Sequence, residues 1–214
     1  MTFRSVRVAA ALLAIVATTA PSGLSAQLIR STGVNLVLGR DQSWLVSTNA
    51  GVNFGAAFFV TTPPSPPWLA NTGAYAWISA TESGTGAPSG SYVFREVFDL
   101  TGYNASTFGF DFRCSKDNDG GTYKLNGSAA SAAVCAPLNT YSFGSTVSLN
   151  SGFVPGSNTI DFFVTGDQTT DGFVLSVDAI RATPLGTSTV PEPATMGLLA
   201  TGLVSLTALR RRKK

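Results

Sequence analysis

The chain has 214 residues, with 14 Lys and Arg against 12 Asp and Glu, and no histidine. The missing imidazole excludes Ser-His-Asp triads, histidine general bases and His-ligated zinc or haem. The net charge of +2 misleads, because Arg4 and Arg7 at one end and Arg210, Arg211, Arg212, Lys213 and Lys214 at the other, with Glu192 in the tail, leave residues 27–189 with seven cations against eleven acids, a net of −4. An acidic body without a basic stripe argues against nucleic acid as a partner.

Residues 1–26 have the layout of a secretory signal peptide: Arg4 and Arg7, an apolar core from Val8 to Ala17, then small residues up to Ser25 and Ala26. A helix is expected there, with cleavage after Ala26.

Residues 27–182 read as one all-β domain. Short runs rich in Val, Ile, Phe, Tyr and Trp alternate with turn residues, and no amphipathic helix of useful length interrupts them. Strands are expected over Val34–Leu38, Ser43–Ser47, Ala57–Val60, Ala74–Ile78, Tyr92–Leu100, Thr107–Cys114, Thr122–Leu125, Thr146–Leu149, Thr159–Thr165 and Phe173–Ala182. Alternation is clearest late in the chain. Phe108, Phe110 and Phe112 share one face, with Asp111 and Arg113 on the other, and Ile160, Phe162 and Val164 repeat the pattern. Asn118-Asp119-Gly120-Gly121, Asn126-Gly127 and Pro155-Gly156 supply turns. Many short strands with turns between them predict two packed sheets, a β-sandwich or jelly roll. Thr61–Pro67, with four prolines, reads as an extended loop, and Glu82–Ser91 as a flexible one.

Within the domain, Cys114 and Cys135 are the only cysteines. Export makes a disulfide between them the default, and two buried thiols the alternative. Asp117, Asn118 and Asp119 form the densest oxygen cluster. Such ligands suit calcium, the one cofactor the composition leaves open, although the spacing is not that of an EF-hand. A polar hairpin turn explains the same residues. Trp68 follows the proline-rich loop, and Tyr75 and Trp77 share a face of one expected strand. Exposed aromatics stack on sugar rings, so these three are candidate glycan contacts, with core packing as the competing reading. Glu82 and Glu96 are the only glutamates of the body, and nothing in the sequence pairs them as glycosidase carboxylates would be paired. The chain is therefore not expected to be an enzyme.

Residues 183–189 form a linker, and 190–214 a tail reading VPEPATMGLLATGLVSLTALRRRKK. Pro191, Glu192 and Pro193 precede an apolar stretch, Ala194 to Leu209, and the five cations close the chain. Cations stay on the cytoplasmic side of an inserted apolar segment, which places the body outside the inner membrane. A short transmembrane helix is expected over 194–209. Its sixteen residues at about 1.5 Å each reach only about 24 Å across a hydrocarbon core of about 30 Å, which suits transient holding.

In this order the tail resembles the PEP-CTERM sorting signal of Gram-negative bacteria. The resemblance implies export, transient tethering to the inner membrane, and recognition of Pro191, Glu192 and Pro193 by the membrane protease exosortase. It also implies a destination at the cell surface or in the extracellular matrix, and an association with exopolysaccharide. A second resemblance covers Tyr92–Ala182. The Leu125-Asn126-Gly127 hairpin and the Pro155-Gly156-Ser157-Asn158 turn before an aromatic strand are similar to those of galactose-binding-like jelly rolls. This likeness implies a jelly-roll fold and leaves the ligand open.

The combined expectation is a non-catalytic envelope or matrix protein, processed through its tail and possessing a glycan-binding face. The alternative is a structural or adhesive surface protein acting by protein contact or self-association.

Overall fold

A computed structural model describes residues 27–63, 68–137, 141–186 and 201. The signal-peptide helix and the short transmembrane helix expected at the two ends lie outside the described residues, as does most of the proline-rich loop.

All ten elements are strands: β1 (Leu36–Val37), β2 (Arg40–Ser47), β3 (Gly55–Phe59), β4 (Ile78–Ser79), β5 (Gly90–Asp99), β6 (Gly109–Asp117), β7 (Asp119–Leu125), β8 (Val147–Leu149), β9 (Ser157–Gly166) and β10 (Gly172–Arg181). They pair antiparallel in the order β7-β9-β5-β2-β3-β4-β10-β6-β8, with β1 added to β2. The all-β expectation holds. The two layers, however, are halves of one continuous sheet that curls through the short β3 and β4.

Alternation along the strands builds the core between the halves. Phe94 and Phe162 from one half meet Phe173 of the other at ring distances of 5.2 and 4.9 Å, and Phe112 meets Phe162 edge-on at 5.5 Å. Each such side chain is fully buried, and burial of one contributes roughly 1.5–3 kcal/mol. Cys114 and Cys135 form the disulfide. It ties the segment after β7 to β6, closing a loop across 21 positions that is worth about 3 kcal/mol in the chain-entropy model.

Two differences from the sequence reading follow from packing. The strand expected over Ala74–Ile78 shrinks to Ile78–Ser79, because the Asn71 side chain and carbonyls of neighbouring loops take the backbone and indole N–H groups of Trp77 and Ala76. The Glu82–Ser91 loop is ordered rather than flexible. Gly86 N–H donates to Thr169, Asp171 N–H donates to Gly84, and Ala87 is buried.

Register defines the two ends of the sandwich. Trp44 faces Glu96 and Ser47 faces Val93, so β2 and β5 run antiparallel, while before Trp44 the register shifts and Arg40 faces Phe58 of β3. Asp99 faces Ser157 and Arg181 faces Gly109, which brings the starts of β6 and β9 and the end of β10 to the same place. Both ends of the described domain meet there. Asp99 N–H donates to the Gln27 carbonyl at 2.9 Å, Asn104 N–H to Thr183 at 2.8 Å, and Leu185 N–H to Gly102 at 2.8 Å. This is the terminal end. The distal end holds the opposite turns, where Gly90 faces Gly166 and Gly172 faces Asp117.

Candidate functional site

The sequence candidates Trp68, Trp77 and Asp117 come together at the distal end, packed against one another. Trp68 is not exposed. It stacks on Trp77 at 4.1 Å, its indole N–H donates to Asp117 Oδ2 at 2.9 Å, and only 8% of its surface is open. Trp68, Trp77, Val60 and Val174 form a second small core on the outer face of β10, closing that face of the strand from water. Tyr75 is half-buried and packs edge-on against Phe143 at 4.8 Å. The tryptophan faces that would stack on a sugar are thus used on each other. Alternation could not reveal this core, because a loop supplies its cover.

The oxygen triplet separates in the same way. Asp117 is buried and engaged by the indole, and Asn118 donates to Asp171 Oδ1 at 2.9 Å. Asp119 points to solvent and accepts from Gly120 N–H at 2.8 Å. The three take separate partners because they straddle the β6–β7 reversal. Among the described residues no group of three or more His, Cys, Asp or Glu is placed to hold a metal ion. Burial pushes the Asp117 carboxyl upward, and the indole N–H pulls the other way. Exposed Glu82, Asp119 and Asp167 give this end an acidic surface.

A pair of carboxylates that the sequence did not single out organises the entry of the chain. Glu96 lies on the inward face of β5, in line with Tyr92, Phe94 and Phe98, and is completely buried. Both its oxygens accept from Arg30 N–H, at 3.0 and 3.2 Å. Asp41, also buried, accepts from the N–H groups of Gly33, Ser43 and Trp44 at 2.6–3.3 Å. Trp44 returns its indole N–H to the Arg30 carbonyl at 3.1 Å. Residues 27–33 are thereby laid across the gap between the halves, and Thr32 closes the far side through Ala76 and Leu175. Burial drives the Glu96 carboxyl well above its ordinary range, and the neighbouring Asp41 adds to the rise. Period-two alternation already places Glu96 inward, which was the available signal. Glu82 sits in the distal loop and has no part in this arrangement.

At the terminal end, residues 183–186 are held by Gly102, Tyr103 and Asn104. Pro191, Glu192, Pro193 and the five terminal cations lie outside the described residues, and among the described residues no helix is long and apolar enough to cross a membrane. An all-β domain followed in sequence by a cation-closed apolar tail fits a class, that of exported proteins delivered through a C-terminal signal. Residues 189–213 match the family model of the PEP-CTERM protein-sorting motif. The chain therefore carries this sorting motif, which implies an exported, membrane-processed protein acted on by an exosortase. No curated protein and no solved structure matches the chain, and the likeness to galactose-binding modules is not confirmed by them.

Proposed function

We propose that the chain is a non-catalytic structural protein of the cell envelope or of the exopolysaccharide matrix outside a Gram-negative cell, delivered there by exosortase processing at Pro191, Glu192 and Pro193. The observation that carries this reading is the motif at residues 189–213. Its three parts divide the work. The triplet is the recognition element, the apolar stretch holds the precursor in the inner membrane, and the cations fix its orientation. The domain's charged side chains support a structural role. Arg95 pairs with Asp161, Arg113 with Asp178 and Arg181 with Asp111, each through two hydrogen bonds of 2.7–2.9 Å, while Glu96 and Asp41 are bound to backbone N–H groups.

Protein contact is favoured over glycan stacking as the mode of action, because Trp68 and Trp77 are spent on packing and Tyr75 is half-covered. The test has two arms. Glu192→Ala and deletion of Arg210–Lys214 are expected to leave an unprocessed, cell-associated precursor, scored by mass and fractionation. Wild-type processing of both would remove the sorting role. Pull-down of the processed protein with the producer's own exopolysaccharide reads the second mode. Saturable binding that survives Trp68→Phe but not Tyr75→Ala would restore glycan recognition in place of protein contact.

A further inference from the structure

Residues 27–33 form a strap that joins β5 to β10 directly, past the intervening β2, β3 and β4. Its two parts are held differently. Residues 31–33 are fixed to β10 and its neighbours. Thr32 N–H donates to the Leu175 carbonyl at 3.0 Å, Ser31 Oγ accepts from Val177 N–H at 2.9 Å, and Ala76 N–H donates to the Thr32 carbonyl at 2.8 Å. Residues 27–30 lie on the β5 side. Asp99 N–H donates to the Gln27 carbonyl, Trp44 donates its indole N–H to the Arg30 carbonyl, and Arg30 N–H donates to Glu96.

The carboxylates beneath the two parts are unequally supplied with donors. Asp41, which anchors Gly33, accepts from three backbone N–H groups. Glu96 has only the Arg30 N–H among the described residues, shared between its two oxygens. Several N–H groups can support a buried carboxylate, whereas one does not offset the loss of water. The charges acting on Glu96 do not repair this. Arg30 of the strap attracts its charge, Asp41 of β2 repels it, and its sheet neighbours Trp44 and Ile160 carry none. Water lies close by. A groove of about 490 Å³ runs along the strap, between Ile29, Arg30 and Ser31 on one wall and Val177, Asp178 and Ile180 on the other. Asp178 is already paired with Arg113.

We propose that residues 27–30 are a proton-gated flap: when Glu96 ionises, they swing out about residues 31–33 and open the groove to the core between β5 and β10, while the sheet stays intact. Lifting the flap is the way to hydrate the Glu96 carboxylate without parting strands, because its other neighbours belong to the sheet. The sheet does not depend on the flap. β5 pairs with β2 and β9, and β10 pairs with β6 from Gly172 to Arg181. The flap also carries Ile29, which is buried in the main core, so opening exposes an apolar site that the closed domain covers. The gate belongs to the domain alone and is independent of the sorting role.

The test is residue-resolved hydrogen exchange on the isotope-labelled protein purified from its producer. Each rate is expressed as a protection factor, so that the intrinsic pH dependence of exchange divides out. Thr32, whose N–H lies on the fixed part of the strap, is the reference. The closed flap holds a proton on Glu96 that the open flap releases. Arg30 protection is therefore expected to fall about tenfold per pH unit as pH rises above the ordinary 4.5, while Thr32 protection holds. Glu96→Gln keeps a carbonyl for the Arg30 N–H but cannot ionise, and Arg30 protection is expected to become independent of pH. A fall that persists in this variant overturns the proposal. So does a wild-type series in which Arg30 protection stays level. Loss of protection at Arg30 and Thr32 together also overturns it, and assigns the change to opening of the whole domain. The wild-type series decides by itself if the variant does not fold.

Discussion

Two loop regions of the domain spend their apolar residues in opposite ways. At the distal end, Trp68 and Trp77 are folded inward over β10, and the surface left to solvent is acidic. On the β1–β2 hairpin, Leu38 stands outward at a turn that it strains. The difference shows that hydrophobicity alone does not say whether a loop residue builds the fold or faces outward. The deciding factor is whether a partner stands across from it.

Trp68→Ala breaks the distal side of this contrast most severely. It removes the cover of Trp77 and Val174 and leaves the buried Asp117 carboxyl without its indole donor. A loss of about 3–5 kcal/mol is expected in denaturant titration. Leu38→Ala on the exposed hairpin is expected to change the same titration by less than about 0.5 kcal/mol. Similar losses for both would erase the distinction.

Paired Cys114→Ala and Cys135→Ala changes come next. They release the segment that follows β7 on the distal half, where Cys135 lies against Gly121. A loss of about 3 kcal/mol is expected, matched by reduction of the wild-type chain. Insensitivity of the melting temperature to reductant would show that hydrogen bonds from Ser131, Val134 and Ala136 hold the segment alone.

The strands were legible because period-two alternation is a local property. Phe110, Phe112, Ile160 and Phe162 each sit where alternation puts them. The curled single sheet was not legible, since β3 and β4 are joined by two residue pairs that carry no pattern of their own. The aromatic cluster was not legible for a related reason. A tryptophan after a run of prolines looks exposed in one dimension, and its burial depends on Asp117, 49 positions away. Glu96 was visible as an inward residue of β5, but its partner is a backbone N–H 66 positions away, for which sequence has no code. The sorting tail was legible throughout, because a membrane and a protease read it as a linear signal.

A smaller effect, one of pH, concerns the carboxylates that seat the entry segment. The fold holds Glu96 protonated where the unfolded carboxyl, at its ordinary value of 4.5, has lost its proton. The native state therefore binds more protons than the unfolded state in the window above 4.5. Glu96 stabilises fully below that window and progressively less as pH rises through it. Asp41, also raised by burial, has the same sign. Asp178, held low by Arg113, has the opposite sign and loses its contribution only as pH falls below the ordinary 3.8. Melting temperature is expected to peak in mildly acidic buffer and decline toward alkaline pH. Glu96→Gln should flatten the alkaline decline and leave the acid limb in place. An unchanged slope in that variant would move the effect to Asp41.

Leu38→Asn has the smallest expected effect on stability, and its sign separates the two explanations of the exposed tip. Asparagine tolerates the left-handed backbone that costs other residues about 1–2 kcal/mol. If Leu38 contributed to the fold, replacing it would destabilise the domain. If it is kept for a contact outside the fold, relief of turn strain dominates, and the variant should gain about 1 kcal/mol in denaturant titration. The same substitution at Ala50, which also has positive φ but lies on the distal loop at φ 56°, should stabilise similarly. A gain at position 50 with a loss at position 38 would place Leu38 in the fold after all.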